Sequence, residues 1–195
     1  MGAHMWYTFF VPTGRGTQLH SLSPTEREDV LHWLHDVSDR IAIKTTEAPQ
    51  YRRVALQRKQ PDYAYSGGDL YQQLTAQTHK LLGEVPVKPR RPRPPMAVNS
   101  GSGFAFIDHI GDVYPSGFLP LHCGNVTNTS FADIYEHSPV FQNLRNPDHW
   151  EGKCSVCEFH TVCGGSRSTA YAMTGNYRAS DPTCSYVPPA WKKSS

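Results

Sequence analysis

The 195-residue chain contains no apolar run near the roughly 18 residues that a membrane-spanning helix requires. It has no basic start followed by an apolar core, so no secretory leader is legible; Met1-Gly2-Ala3-His4-Met5 reads instead as a vector scar. Neither sign of charge dominates: 19 Lys and Arg against 17 Asp and Glu leave +2, which gives no reason to expect nucleic acid as a partner. Also missing are a phosphate-binding glycine loop, a Ser nucleophile motif, a pair of catalytic carboxylates and any internal repeat. The five cysteines are odd in number and come without a leader, so metal ligation or idle thiols outrank a disulfide framework, and the expected compartment is the cytoplasm.

What is present organises into two parts. Trp6 to Val11 (WYTFFV) reads as a buried strand, ended by the glycine loop Pro12-Thr13-Gly14-Arg15-Gly16. Ser23-Pro24-Thr25-Glu26 is a capping box with proline at the first helical position. Val30, Leu31, Leu34, Val37 and Ile41 follow at helical spacing, which predicts an amphipathic helix over 24–40. His32 and His35 are expected on its partly exposed face and Trp33 in packing. Ala42 to Thr45 is a second short strand, and a helix is expected over 50–60. This is the rhythm of a parallel α/β unit, but two strands cannot close such a core, so part of the sheet is missing.

Between Pro86 and Pro95 there are five prolines and four Lys or Arg, which reads as an extended linker. The alternative is a basic arm that touches an anionic substrate or partner. Gly103 to Pro115 then reads as a β-hairpin with His109-Ile-Gly-Asp112 at the turn. Short helices are expected over 131–137 and 139–145, the second opened by Ser138-Pro139. A further helix over 167–174 ends at Gly175, a residue able to take the left-handed conformation.

The most informative feature is Cys154-x2-Cys157-x5-Cys163-x20-Cys184. A Cys-x2-Cys pair brings two sulfurs onto one tight turn, a third follows six residues later, and a distant one can close the site. Four thiolates suit tetrahedral zinc or an iron–sulfur cluster, and spacing alone leaves both open. Gly164-Gly165 leaves backbone amides uncovered beside Cys163, which suits N–H···S bonds to a bulky cluster.

Cys-x2-Cys-x5-Cys-Gly-Gly with a cysteine about twenty residues on resembles the auxiliary-cluster motif of SPASM domains, C-terminal extensions of radical S-adenosylmethionine (SAM) enzymes. The context is similar too: Gly111-Asp112-Val113-Tyr114-Pro115, Gly124-Asn125-Val126, Ile134-Tyr135 and Phe141-Gln-Asn-Leu-Arg145. Phe10-Val-Pro-Thr-Gly-Arg-Gly16, Lys44-Thr-Thr-Glu-Ala-Pro49 and Tyr51-Arg52-Arg53 are similar to late barrel segments of a subgroup near the haem-pathway and peptide-maturing proteins. The resemblance implies an α/β chain, α+β taken whole, in which part of a partial β/α barrel joins a small hairpin-and-helix domain with a four-cysteine metal site. Its divisions would be a scar over 1–5, barrel over 6–84, linker over 85–102, SPASM-like domain over 103–187 and tail over 188–195.

The full SPASM pattern has seven cysteines for two auxiliary clusters. Here Ser116, Thr129 and Arg167 stand at three of those positions, so the resemblance implies one [4Fe–4S] cluster on Cys154, Cys157, Cys163 and Cys184, with zinc as a substitute. Cys123 is off the motif and reads as a free thiol, with a replacement ligand as the alternative. The radical SAM signature Cys-x3-Cys-x2-Cys occurs nowhere in these residues. The resemblance therefore implies a C-terminal piece that lacks the SAM-cleaving cluster and needs an N-terminal radical SAM region as partner, with SAM, a second [4Fe–4S] cluster and a peptide or tetrapyrrole substrate in the intact enzyme. By the same resemblance Thr13, Gly14, Arg15 and Gly16 face the SAM or substrate side; the other reading is a tight loop that needs its glycines. Lys44 and Glu47, at the end of the next strand, could position a substrate carboxylate or donate protons, or pair with each other or with Arg52. The rival reading is a zinc-stabilised interaction module without chemistry.

Overall fold

The computed structural model describes residues 4–18, 21–83 and 98–192. Its first part is a β-α-β unit. Strand β1 (His4–Thr8) pairs in parallel with β2 (Ala42–Thr46), Thr8 opposite Thr46. The strand expected over 6–11 thus begins earlier, at His4 inside the presumed scar, and ends before Phe9 and Val11, which are nevertheless buried. Helix α1 (Pro24–Val37) crosses between the strands. Its capping box forms as the sequence dictates: Ser23 Oγ accepts from the Glu26 amide at 3.2 Å, and a Glu26 carboxylate oxygen accepts from the Ser23 amide at 2.8 Å. Val30, Leu31, Leu34 and Val37 face a core that also takes in Phe9, Ile43 and Val54.

Helix α2 (Gln50–Gln57) follows β2 as expected, three residues shorter than the pattern suggests. Helix α3 (Asp69–Leu82) was not foreseen. It lies along α1, and Leu70, Tyr71 and Leu74 pack on the core. This changes the surroundings of α1. His32, expected at the surface, is fully buried, its ring stacked on Tyr65 at 3.6 Å between centroids. His35 is largely covered as well, with 12% of its side chain exposed. Tyr63 and Tyr65 cover His32 and α3 packs along α1, so the helix has two covered faces where its own periodicity implied one. Trp33 packs as expected, and its indole N–H donates to Thr78 Oγ1 at 2.8 Å.

The second part is built on a small antiparallel sheet in the order β3 (Phe106–Ile107), β4 (Asp112–Tyr114), β5 (Gly124–Asn125). Asp108 Oδ1 accepts from the amides of Ile110 and Asp112 and shapes the hairpin turn, which spans 108–111 and so begins and ends one residue before the expected one. Helices α4 (Phe131–His137), α5 (Pro139–Arg145) and α6 (Arg167–Thr174) occupy their expected positions, and Gly175 ends α6 at φ 74°. Val113, Ile134 and Phe141 form the core here.

The fold is mixed α and β, as expected. Among the described residues the parallel sheet has two strands, and no third joins them. Of the linker expected over 85–102, residues 85–97 lie outside the described residues, but its end does not behave as a tether. Ser100 is buried, Asn99 Nδ2 donates to Gly165 O at 2.8 Å, and Gly101 N donates to Pro115 O at 2.9 Å. No helix among the described residues is long and apolar enough to cross a membrane.

Candidate metal centre

A seam of buried polar groups joins the two parts and fixes the walls of one cavity. Asp181, fully buried, is its hub. One carboxylate oxygen accepts from Gln50 Nε2 at 2.5 Å and from the Ser166 amide at 2.8 Å; the other accepts from the Thr183 amide and hydroxyl at 2.9 and 2.7 Å. Ser166 Oγ in turn donates to Glu47 Oε2 at 2.9 Å, and Arg27 Nη2 donates to Glu47 O at 2.5 Å. Each carboxylate is thus desolvated but bonded, the condition under which buried charge is tolerated.

The cavity is lined by Cys154, Cys157, Cys163 and Cys184, with Arg53 and Lys153 also at its wall. All five cysteines are free thiols. Local chain geometry delivers the four to one place. Cys154 ends a short helical turn begun by Gly152, and its amide donates to Ser180 Oγ at 3.1 Å. The Cys163 amide donates to Phe159 O at 2.8 Å, curling the chain back after Cys157. Gly164 and Gly165 both have positive φ (67° and 65°), which only glycine adopts readily. That turn points the Gly165 N–H at Cys163 Sγ, 3.4 Å away, as the Gly-Gly pair led one to expect. Cys184 is brought in by the turn at Asp181, whose carbonyl accepts from the Cys184 amide at 3.2 Å.

Among the described residues no three His, Cys, Asp or Glu side chains stand close enough together to hold a single ion. The four cysteines line one cavity without forming a ready single-ion site. Burial pushes the Cys163 thiol up to about 12 and the Cys184 thiol up to about 11. Such sulfurs are neutral on their own and become thiolates only with a metal to take the charge. Positive groups stand ready at the wall. Arg53 is clamped by Glu28 (2.8 and 2.6 Å) and Gln57 (2.6 Å) and lies 4.9 Å over the Tyr186 ring; Lys153 donates to Cys184 O. Arg167 Nη2 donates to Cys154 Sγ at 3.6 Å. The donor set and its N–H···S partners fit a four-thiolate centre.

Cys123 is not at the cavity. It packs against the Val113–Phe141 core and its thiol donates to Leu121 O at 3.3 Å. The structure does not bring the other predicted site residues to the cysteines either. Thr13, Gly14, Arg15 and Gly16 lie at the start of a short helical turn (Gly14–Gln18), with Gly14 and Arg15 exposed. Lys44 is exposed on β2. Glu47, at φ 55°, is part of the buried seam, where burial raises its carboxyl. Its carboxylate takes Ser166, while Arg52 donates to Val98 O and Val162 O, so the expected pairing of Glu47 with Arg52 does not form. The sequence reading missed Arg53, Lys153 and Asp181 as wall-builders, because nothing in a lone basic or acidic residue announces a long-range partner.

Known proteins similar to this chain point to iron–sulfur chemistry of the same general kind. The SPASM family model, described as an iron-sulfur cluster-binding domain, matches residues 99–158 and so includes Cys154 and Cys157. The chain is 35% identical over 191 residues to the AdoMet-dependent heme synthase of Methanosarcina barkeri, covering 96% of this chain and 50% of that protein. It is 38% identical over 193 residues to the AdoMet-dependent heme synthase of Nitratidesulfovibrio vulgaris, covering 96% and 48%. The PqqA peptide cyclase of Gluconobacter oxydans is 35% identical over 109 residues, which is 50% of this chain and 28% of that protein. The chain spans about half the length of these heme synthases. The chain thus carries a match to an iron-sulfur cluster-binding SPASM domain over 99–158 and is similar along nearly all of its length to AdoMet-dependent heme synthases.

Proposed function

We propose that the chain is the auxiliary-cluster part of a radical SAM enzyme, that Cys154, Cys157, Cys163 and Cys184 hold one [4Fe–4S] cluster, and that the substrate is a tetrapyrrole. The observation that carries this is the convergence of four cysteines, Cys154 buried and the other three half-buried, from separate pieces of chain, on one cavity supplied with N–H donors to sulfur. A bound cluster supplies one-electron redox chemistry. The chain's own residues do the rest. The cysteines hold the group, Gly165 N–H and Arg167 donate to two of their sulfurs, and Arg53 and Lys153 place positive charge at the wall. Tyr186 and Pro188 restrict water, and the Gln50–Asp181–Ser166 seam keeps the cysteine loops from drifting apart.

The choice of a tetrapyrrole over a peptide rests on coverage: the heme synthases align with 96% of the chain, the peptide cyclase with half of it. SAM cleavage belongs, on this reading, to a Cys-x3-Cys-x2-Cys region that these residues lack, with its own [4Fe–4S] cluster. Thr13–Gly16 and Lys44 would face the SAM or substrate side. The test is anaerobic reconstitution with iron and sulfide. A broad visible absorbance bleached by dithionite, with matching iron and sulfide content, and no 5′-deoxyadenosine from the reduced protein and SAM, is the expected result. A colourless protein that takes only zinc under these conditions overturns the reading in favour of a zinc-stabilised interaction module.

A further inference from the structure

The buried charges around the cysteine cavity are not all matched. Arg53 faces the Glu28 carboxylate, but Arg167, fully buried, has no carboxylate within ion-pair distance among the described residues. Its Nη1 donates to the carbonyls of Tyr177 (3.1 Å) and Ala179 (2.8 Å), and its guanidinium lies 5.0 Å over the Trp150 ring. Its Nε is buried without an acceptor. The remaining nitrogen, Nη2, is spent on Cys154 Sγ at 3.6 Å. A neutral thiol is a weak acceptor and leaves a buried cation uncompensated, which is costly; a thiolate is a strong acceptor and supplies the missing charge.

The arrangement is built in rather than incidental. Arg167 is the first residue of α6, fixed by the Ser166 cap, whose Oγ accepts from the Thr169 amide at 3.0 Å. Gly165 makes the approach possible. A Cβ there would fall 2.7 Å from Arg167 Nη2, 2.9 Å from Asp181 Cβ and 3.3 Å from Cys154 Sγ. A side chain at 165 would displace the guanidinium from the sulfur.

We propose that Arg167 is a positioning residue for the metal centre, a fixed cation and N–H donor at the Cys154 sulfur that raises the reduction potential of the cluster held there. This rests on the cluster reading above. A reduced centre carries one more negative charge than an oxidised one, so a fixed positive charge and an N–H···S bond favour reduction.

The test compares wild type with Arg167→Met, Arg167→Gln and Arg167→Lys, reconstituted anaerobically. Midpoint potentials are read by electron paramagnetic resonance during a mediated dithionite titration, with iron and sulfide counted in each. Met and Gln should shift the one-electron equilibrium at least tenfold toward the oxidised form, about 59 mV lower, with metal content retained, and Lys should lie nearer wild type. A neutral variant that keeps both its metal and the wild-type potential overturns the proposal. Should Met not fold by circular dichroism, Gln against Lys decides, since the two differ in charge and both can donate. Should wild type take zinc alone, the cluster reading fails separately. Zinc affinity then decides the role of Arg167: tenfold weaker in Gln than in Lys supports it, and equal affinities overturn it.

Discussion

Replacing Glu28 with glutamine perturbs the clamp on Arg53, the residue that carries α2 to the wall of the cysteine cavity. Burial pushes the Glu28 carboxyl up, but hydrogen bonds from His32 and Arg53 and the charge of Arg53 pull harder, leaving it at about 2 against an ordinary 4.5. At about 1.4 kcal/mol per pK unit, the ionised carboxylate contributes about 3 kcal/mol of stability at neutral pH. The sign follows from a folded-state value below the unfolded one. The contribution is fully present above 4.5 and is lost as pH falls through about 2. Urea unfolding, followed by circular dichroism at a series of pH values, reads it directly. Glu28→Gln should be less stable than wild type by about 3 kcal/mol at neutrality, in line with breaking a buried pair. The two proteins should converge as the pH approaches the folded-state value. Parallel pH curves for the two, or equal stability at neutrality, would refute the reasoning.

Other outcomes follow from backbone geometry. Gly165→Ala should destabilise the second part by well over the roughly 1 kcal/mol of a left-handed alanine, because its Cβ would meet Arg167 Nη2 at 2.7 Å. Gly175→Ala, at φ 74° with nothing within 4 Å, should cost only that backbone penalty; equal melting-temperature losses in the two variants would contradict the clash. Ser23→Ala should remove about 1 kcal/mol of stability by deleting the α1 cap, a loss read from urea midpoints and absent if the box is ornamental.

What the sequence disclosed was local. The capping box over Ser23–Glu26, the Ser138-Pro139 start of α5, the left-handed stop at Gly175 and the Gly164-Gly165 amides beside Cys163 each involve residues within a few positions of one another. What it hid was carried by distance or by weak signals. Helix α3 opens after Gly68 with no side-chain cap and has no fully buried residue, so neither its start nor its inner face stands out. With α3 and the preceding tyrosines unseen, His32 could not be placed in the interior. Asp181 and Gln50 meet across 131 positions, and Arg53 meets Glu28 across 25. Only the folded chain brings such pairs together. The cysteine spacing was legible because its ligand turns are short, yet Cys184 reaches the cavity through the Asp181 turn, which spacing does not reveal.

The central claim is that four particular sulfurs serve one centre while a fifth does not. Its most direct test is iron and acid-labile sulfide content after anaerobic reconstitution of Cys154→Ala, Cys157→Ala, Cys163→Ala, Cys184→Ala and Cys123→Ala. Each of the first four should lose stoichiometric cluster, and Cys123→Ala, altered in the Val113–Phe141 core away from the cavity, should keep it. Loss of the cluster in Cys123→Ala together with its retention in Cys184→Ala would contradict the account.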